Sequence, residues 1–358
     1  MEARRVRVKV RVHMAEDSRP RPLYRAGFKP PALSKADRKA TASQDPPCNL
    51  WQAPVGIRVH TPPVLRSGKA MQRRDVLKGM VLAGAVVALA RPARVIARDD
   101  AVEARLAALE RQHGGRLGVA IHDSGSGRHV AHRGDERFLM CSTFKLLLAA
   151  AVLQRVDRGE EKLDRRIVFG KGALLEWAPV TSKHVGPPGM TVSALCEAAI
   201  TQSDNTAANL LLKQIGGPSA LTEYARGLGD KSTLLDRYEP DLNPHDMTTP
   251  ASMLGDMEQL LLGSRLSQSS RELLIRWLLA CQTGLQSLRA GIPSGWRVGD
   301  KTGQWDGNGL GANNDIAIVW PPNGKPLLVT AYYMNHTTKP SIRKAVLAEV
   351  GRIVASMA

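Results

Sequence analysis

Cysteine is scarce in this chain: Cys48, Cys141, Cys196 and Cys281 are the only four in 358 residues. They form no CxxC pair and no cluster with histidine, which argues against a structural zinc site. Three of the four fall after residue 98, and an odd number cannot close a full disulfide framework. Buried free thiols, acting as small apolar groups, are expected there. No apolar run is long enough to cross a bilayer comfortably: residues 79–90 make a dozen against the roughly 20 that a span needs. Internal repeats are absent. Gly307, Gly309 and Gly311 lie between two strand patterns with no helix after them, so a flexible hairpin tip is expected rather than a dinucleotide loop.

Acidic residues are also in short supply, 33 against 50 Lys and Arg, for a formal charge of +17. Such a balance normally points to nucleic acid or an acidic surface. Its location removes that reading. Residues 1–70 carry fifteen basic and five acidic residues, a surplus of +10, and residues 71–97 add +4. Only +3 remains for residues 98–358, so no nucleic-acid partner is expected. With 43% hydrophobic and 23% charged residues, the chain can bury one large core or two ordinary ones.

The N-terminal surplus reads as an address. Arg73-Arg74 followed by Asp75-Val76-Leu77-Lys78 resembles a twin-arginine export signal. A weakly apolar run, Pro92 and the small-residue site Val95-Ile96-Ala97 follow, so residues 71–97 are expected to be a signal peptide cleaved after Ala97. The alternatives are a retained membrane span and a chance Arg-Arg before a short buried helix. Residues 1–70 would block a signal that must be N-terminal. They are expected to be an upstream, non-native extension with Met71 as the true start, or a disordered basic arm. N-terminal sequencing of protein from the native host decides this, and an intact Met1 on the exported protein contradicts it.

Hydrophobic periodicity predicts a helix from 99 to about 114, then strands at 116–122 and 129–132 joined by a turn. Residues 143–155 are apolar on almost every side, as in a wholly buried helix. Further helices are predicted at 191–200, 205–215, 218–228, 249–262 and 269–280. Strands return at 296–303, 315–320 and 327–334, before a last helix at 340–356. Strands at both ends around a helical middle predict an α+β fold, with an antiparallel sheet assembled from both ends of the chain and an inserted all-α domain. The boundaries expected are 98–138 and 286–358 for the α/β part and 139–285 for the helical part.

Three short elements carry chemistry. In Ser142-Thr143-Phe144-Lys145, a hydroxyl and an amine three positions apart project from nearly one helix face. The apolar run from Leu146 to Leu153 behind them desolvates the amine and favours its neutral, proton-accepting form. A serine beside such a base, at a helix N-terminus with free N–H groups, can become a nucleophile. Ser203-Asp204-Asn205 precedes a predicted helix, where it reads equally well as an N-cap. Lys301-Thr302-Gly303 closes a strand pattern and offers a cation, a hydroxyl and a glycine that lets a ligand approach the backbone closely, although a plain strand end reads the same way.

Together and in this order the three elements resemble the penicillin-recognising serine enzymes. A fourth, Arg237-Tyr238-Glu239-Pro240-Asp241-Leu242-Asn243, is an ordinary acidic loop by itself but resembles the omega loop of class A β-lactamases. The resemblance runs from about residue 100 to the C-terminus and includes Asn314-Asp315-Ile316-Ala317.

It implies hydrolysis of penicillins and cephalosporins through an acyl-serine intermediate, with no metal or cofactor. Ser142 is the implied nucleophile, and Lys145, or Glu239 through a water, takes its proton. The N–H groups of Ser142 and Gln304 form the oxyanion hole, and Ser203 relays a proton to the lactam nitrogen. Asn205 holds the substrate's amide, Lys301 and Thr302 bind its carboxylate, and Gly303 and Gln304 are also implied in substrate binding. Glu239 and Asn243 hold the deacylating water. Trp177 aligns with an aromatic at the site entrance, where a core tryptophan is the alternative.

The chain departs from that family pattern in three places. The segment between Asn243 and Asp246 is short, which predicts a floor more open to bulky cephalosporins. Trp305 stands where several relatives carry a cysteine that pairs with the one at 141, and Ala149 stands where a partner for Cys196 is frequent. Asn313 occupies a place where an arginine often assists the carboxylate, which leaves Arg343 or Lys344 as substitutes. The resemblance implies a monomeric, periplasmic or secreted enzyme; a DD-peptidase and a non-catalytic β-lactam sensor are the alternatives.

Overall fold

The computed structural model describes residues 93–358, except Asn243, Pro244 and Asn308. Residues 1–70, most of the expected signal at 71–97, and Asn243 therefore lie outside the described residues. The first element, α1 (Ala93–His113), leads into β1 (Arg116–Asp123) and β2 (Arg128–His132). A short β3 (Phe138–Leu139) and a 3-10 turn (Cys141–Thr143) precede α2 (Phe144–Asp157). Then come β4 (Arg166–Ile167), β5 (Met190–Thr191), α3 (Val192–Thr201), α4 (Asn205–Ile215) and α5 (Pro218–Leu228). After β6 (Met247–Thr248) follow α6 (Pro250–Met257), α7 (Gln268–Leu279) and the single turn α8 (Leu288–Gly291). The chain returns through β7 (Arg297–Gly307), β8 (Leu310–Trp320) and β9 (Leu327–Met334) to α9 (Pro340–Ala355).

The main sheet has the order β2-β1-β9-β8-β7, with every neighbour antiparallel. This is the predicted α+β arrangement, with strands from both ends meeting between β1 and β9. Period-two alternation assigns the faces. Leu117, Val119 and Ile121 of β1, with Val329, Ala331 and Tyr333 of β9, join the core that holds Leu106 of α1 and Val350 and Val354 of α9. Ala120, Leu328 and Tyr332 face the larger core built around α2. Both faces are covered at the middle of the sheet, so β1 and β9 read as nearly continuous apolar runs.

Helix α2 is the axle of the second core. Every residue from Phe144 to Leu153 is at most 4% exposed, Lys145 included. Removing a leucine side chain from such a site typically costs about 2–5 kcal/mol. Sequence-local signals set the helix ends around it. Thr191, Asp204, Thr249 and Ser267 each cap a helix by accepting a backbone N–H. Gly216 ends α4 at φ 105°, a left-handed conformation that a side chain disfavours.

Besides α1, which starts at Ala93 rather than 99, two elements differ from the periodicity reading. The helix expected over 249–262 is α only to Met257, and Glu258–Leu262 form a π-helical turn that keeps Leu260 and Leu261 buried while Glu258 reaches outward. The strands expected to end at 303 and begin at 315 continue as a ladder to Gly307 opposite Leu310. The glycine-rich stretch is thus mostly paired strand rather than a loose tip. Polar residues here read as loop because their partner is remote: buried Arg343 of α9 donates to Asn313 and pairs with Asp306.

The fold also buries acids. Asp256 is 1% exposed, and burial together with the neighbouring charge of Asp230 pushes its carboxyl up to about 9. Asp230 keeps its charge, held low by Ser232 and Thr233. Because the folded value of Asp256 lies above the ordinary carboxylate range, its contribution is fully present below about pH 4 and is lost as pH rises through about 9. Asp256→Asn is therefore expected to raise stability at neutral pH by about 1–3 kcal/mol and to flatten the alkaline slope. Denaturant unfolding at pH 5, 7 and 9 checks this. A parent equally stable at all three values contradicts it.

Candidate active site

The 3-10 turn before α2 presents Ser142, and the first turn of α2 presents Lys145 beneath it. Their spacing places Lys145 Nζ 2.9 Å from Ser142 Oγ. Nζ also lies 2.9 Å from the Ser203 carbonyl, 2.6 Å from Asn205 Oδ1 and 3.5 Å from Glu239 Oε1. The amine is fully buried, and desolvation holds it below its usual basicity although the Glu239 charge opposes this. When neutral, its two N–H groups satisfy the Ser203 carbonyl and Asn205, and its lone pair turns to the serine hydroxyl. That is the arrangement of a base beside a nucleophile.

Glu239 completes the group, with Oε1 accepting from Ser142 Oγ at 3.4 Å. It is 7% exposed, and its main chain is clasped at both ends by Asn209, whose Nδ2 donates to the Glu239 carbonyl and whose Oδ1 accepts from its N–H. The surrounding loop is closed at its neck. Asp246 Oδ2 accepts from the N–H groups of Asp236 and Arg237, and Arg237 Nη1 lies 3.6 Å from Asp246 Oδ1. Burial and the nearby Asp236 push the Asp246 carboxyl up to about 7. Fully buried Leu242 anchors the loop from inside. The Asp246 carbonyl in turn accepts from the N–H of Met140, which ties the loop to the chain just before the nucleophile.

The second wall comes from the Ser203-Asp204-Asn205 triplet. Asp204 does cap α4, but its other carboxylate oxygen takes the N–H groups of Val180 and Thr181. Cap and site coexist, because the capped turn fixes Ser203 at φ 56° with its hydroxyl between two lysines. Ser203 Oγ is 3.4 Å from Lys145 Nζ and 3.0 Å from Lys301 Nζ. Burial and the like charge of Lys145 push Lys301 down to about 8.

Strand β7 supplies the third wall. Lys301 is fully buried and does not line the cleft; it donates to Ser203 and to the Thr302 carbonyl from below. Thr302 shares a hydrogen bond with Thr283. Gly303 was expected to admit ligand. Its position also has a packing reason, since a Cβ there would sit 2.9 Å from Cys141 Cβ and 3.2 Å from the Ser142 nitrogen. Gln304 follows at the cleft edge, with its side chain accepting from Asn313. Asn314 donates to the carbonyls of Leu139 and Met140 and so pins the nucleophile turn, in which Cys141 stands at φ 46°.

These walls enclose a cleft of about 750 Å³ that Ser142, Ser203, Asn205, Glu239, Thr302 and Gln304 line among others. Trp177 lies at its mouth, 55% exposed, with Nε1 donating to the Gln202 carbonyl, so it is not a core tryptophan. Of the two cations expected to replace the missing arginine, Lys344 borders the cleft, whereas Arg343 is consumed by Asn313, Asp306 and two carbonyls. Asn243 lies outside the described residues. Cys141, Cys196 and Cys281 are buried free thiols. Sequence reasoning missed Asn209, although it stands four residues after Asn205 on the same helix face.

Comparisons with known proteins agree on one family. Residues 101–357 match the sequence model of the Beta-lactamase enzyme family. The chain is 48% identical over 254 residues to β-lactamase L2 of Stenotrophomonas maltophilia, covering 69% of this chain and 82% of that protein. To β-lactamase OXY-1 of Klebsiella oxytoca it is 41% identical over 281 residues, covering 77% and 95%. Among solved structures, an ancestral (GNCA) class A β-lactamase aligns with a TM-score of 0.69 at 56% identity, covering 72% of this chain and 100% of that one.

Proposed function

The chain belongs to the Beta-lactamase enzyme family as a class A member, and from that premise we propose a role for each side chain in the cleft. It hydrolyses the β-lactam amide bond of penicillins and cephalosporins and thereby confers resistance. The observation that carries the assignment of roles is that one hydroxyl, Ser142 Oγ, lies within 2.9 Å of a buried amine and 3.4 Å of a buried carboxylate.

Ser142 Oγ bonds to the lactam carbonyl carbon as its proton passes to Lys145, or through a water to Glu239. The N–H groups of Ser142 and Gln304 receive the oxyanion, where one donor is typically worth about 3 kcal/mol. The tight seat of Gly303 against the nucleophile turn supports that pairing. The C–N bond then breaks, and Ser203, between Lys145 and Lys301, delivers a proton to the leaving nitrogen. Asn205 has Oδ1 engaged by Lys145, which leaves Nδ2 to donate to the substrate's side-chain amide. Thr302 donates to the carboxylate, with the Lys301 charge beneath it. Water, held by Glu239 and Asn243, attacks the ester carbon; its proton goes to Glu239, and as the C–O bond breaks the Ser142 oxygen takes a proton back from Lys145 or Glu239, which restores the hydroxyl.

Residues 98–358 form the catalytic unit of this reading, acting as a monomer after export by the Arg73-Arg74 signal. Among the described residues no helix is long and apolar enough to cross a membrane. The short omega loop sets the substrate range, with an open floor that admits bulky side chains. The purified protein is expected to hydrolyse a small penicillin and an oxyimino-cephalosporin with kcat/KM values within about tenfold of each other, a gap of about 1.4 kcal/mol. A strong preference for the penicillin contradicts the open floor.

A further inference from the structure

Outside the cleft, His122 of β1 and His129 of β2 stand directly opposite each other across the hairpin. Their rings stack with centroids 4.1 Å apart and planes 11° from parallel. Glu258, the first residue of the π-helical turn, brings one oxygen to both. Its Oε1 is 3.0 Å from His122 Nδ1 and 2.7 Å from His129 Nε2. None of the three borders the active-site cleft.

One carboxylate oxygen thus faces two ring nitrogens, and only His129 Nε2 makes a well-formed hydrogen bond to it. The other nitrogen of His129, Nδ1, lies 3.3 Å from the Gly127 carbonyl. His122 Nδ1 is buried and makes no well-formed hydrogen bond, although the same carboxylate oxygen is close. A metal ion among the three atoms would take the place of the proton that His129 Nε2 and Glu258 Oε1 share at 2.7 Å, and would give His122 Nδ1 the partner it lacks.

The three donor atoms all lie within 4.8 Å of one another. A tetrahedral zinc ion, with bonds of about 2.0–2.2 Å, needs donors about 3.3 Å apart. Binding requires the stacked rings to turn out of parallel, so that both in-plane lone pairs meet one ion, and the 2.7 and 3.0 Å pairs to open to that value. We propose that His122, His129 and Glu258 bind a divalent transition metal ion of the zinc type, with the open coordination position taken by water. Two imidazoles and one carboxylate select zinc, copper or nickel over calcium or magnesium, which prefer all-oxygen shells.

The surroundings fit such a site. His122 is held on a strand paired on both sides, so one ligand is fixed before the metal arrives. The Gly127 carbonyl orients the second ring, as outer partners of metal-bound histidines usually do. The π-helical turn, a local distortion frequent at functional sites, presents Glu258. The ion would tie the sheet's edge strand β2 to the end of α6, a structural brace separate from catalysis. No metal was expected from the sequence, because it holds no CxxC pair or cysteine–histidine cluster and the family resemblance implied none.

Protein stripped with a chelator and desalted is titrated with zinc chloride while heat and thermal unfolding are recorded. One equivalent is expected to bind saturably in the micromolar range and to raise the unfolding midpoint by a few degrees. His129→Gln and Glu258→Gln are each expected to weaken binding at least about tenfold and remove the rise, with hydrolysis of a chromogenic cephalosporin unchanged. Copper(II) is expected to give a nitrogen-ligated resonance spectrum that both variants lose. No saturable uptake, uptake that survives both substitutions, or an unfolding midpoint that responds to pH but not to zinc overturns the proposal.

Discussion

Ser142→Ala is expected to lower kcat for a chromogenic cephalosporin by about 10⁴–10⁶-fold while the protein unfolds at nearly the parent temperature. The loss is large because no other hydroxyl occupies the same position. Ser203 Oγ also lies in the cleft, but it is held between Lys145 and Lys301. The remaining activity would come from binding and from N–H groups aimed at the oxyanion, which survive the substitution. The structural cost is small, since the Ser142 side chain exchanges hydrogen bonds only with Lys145 and Glu239 and caps no helix. Substrate binding is therefore expected to persist, with KM or an inhibition constant near that of the parent. A variant that still turns over within about tenfold of the parent contradicts the assignment of the nucleophile.

The second large effect is at Glu239. Glu239→Gln is expected to slow steady-state turnover by about 10²–10⁴-fold while a rapid burst of product, one per enzyme, is retained. Two features of the site make the two halves of the reaction separable. Asn209 grips the main chain of Glu239 and not its carboxylate, so the loop keeps its place in the variant. Loss of the negative charge also removes the main influence that raises Lys145, leaving burial to hold the amine neutral and ready to take the Ser142 proton. Glutamine cannot accept a proton from water, so the ester formed in the burst persists. A burst that disappears in proportion to turnover would place Glu239 in acylation as well.

How much of this was legible in the sequence follows from the range of each signal. The Ser142–Lys145 pair depends only on helical spacing and on the apolar run behind it, both visible in a dozen residues. The Asp204 cap and the strand carrying Lys301 are equally local. The joining of Glu239 to Ser142, 97 positions away, came from resemblance to a family and not from any pattern within the chain. Contacts that depend on tertiary packing alone were not read. Arg343 on the last helix looked like a surface cation available to substrate, yet it is 1% exposed and ties the helix to Asn313 and Asp306 of the β7–β8 ladder, which stays paired to residue 307. Gly303 looked like an opening for ligand because sequence gives no hint that Cys141 and Ser142 press against it. The same blindness hid the histidine pair on the first hairpin, whose acidic neighbour lies far along the chain.

The most direct test is the intact mass of Glu239→Gln quenched during steady-state reaction with a penicillin. A species heavier than the protein by one whole penicillin, with the added mass on the peptide that contains Ser142, is the predicted result. Unmodified protein that nonetheless consumes substrate at the parent rate would contradict it.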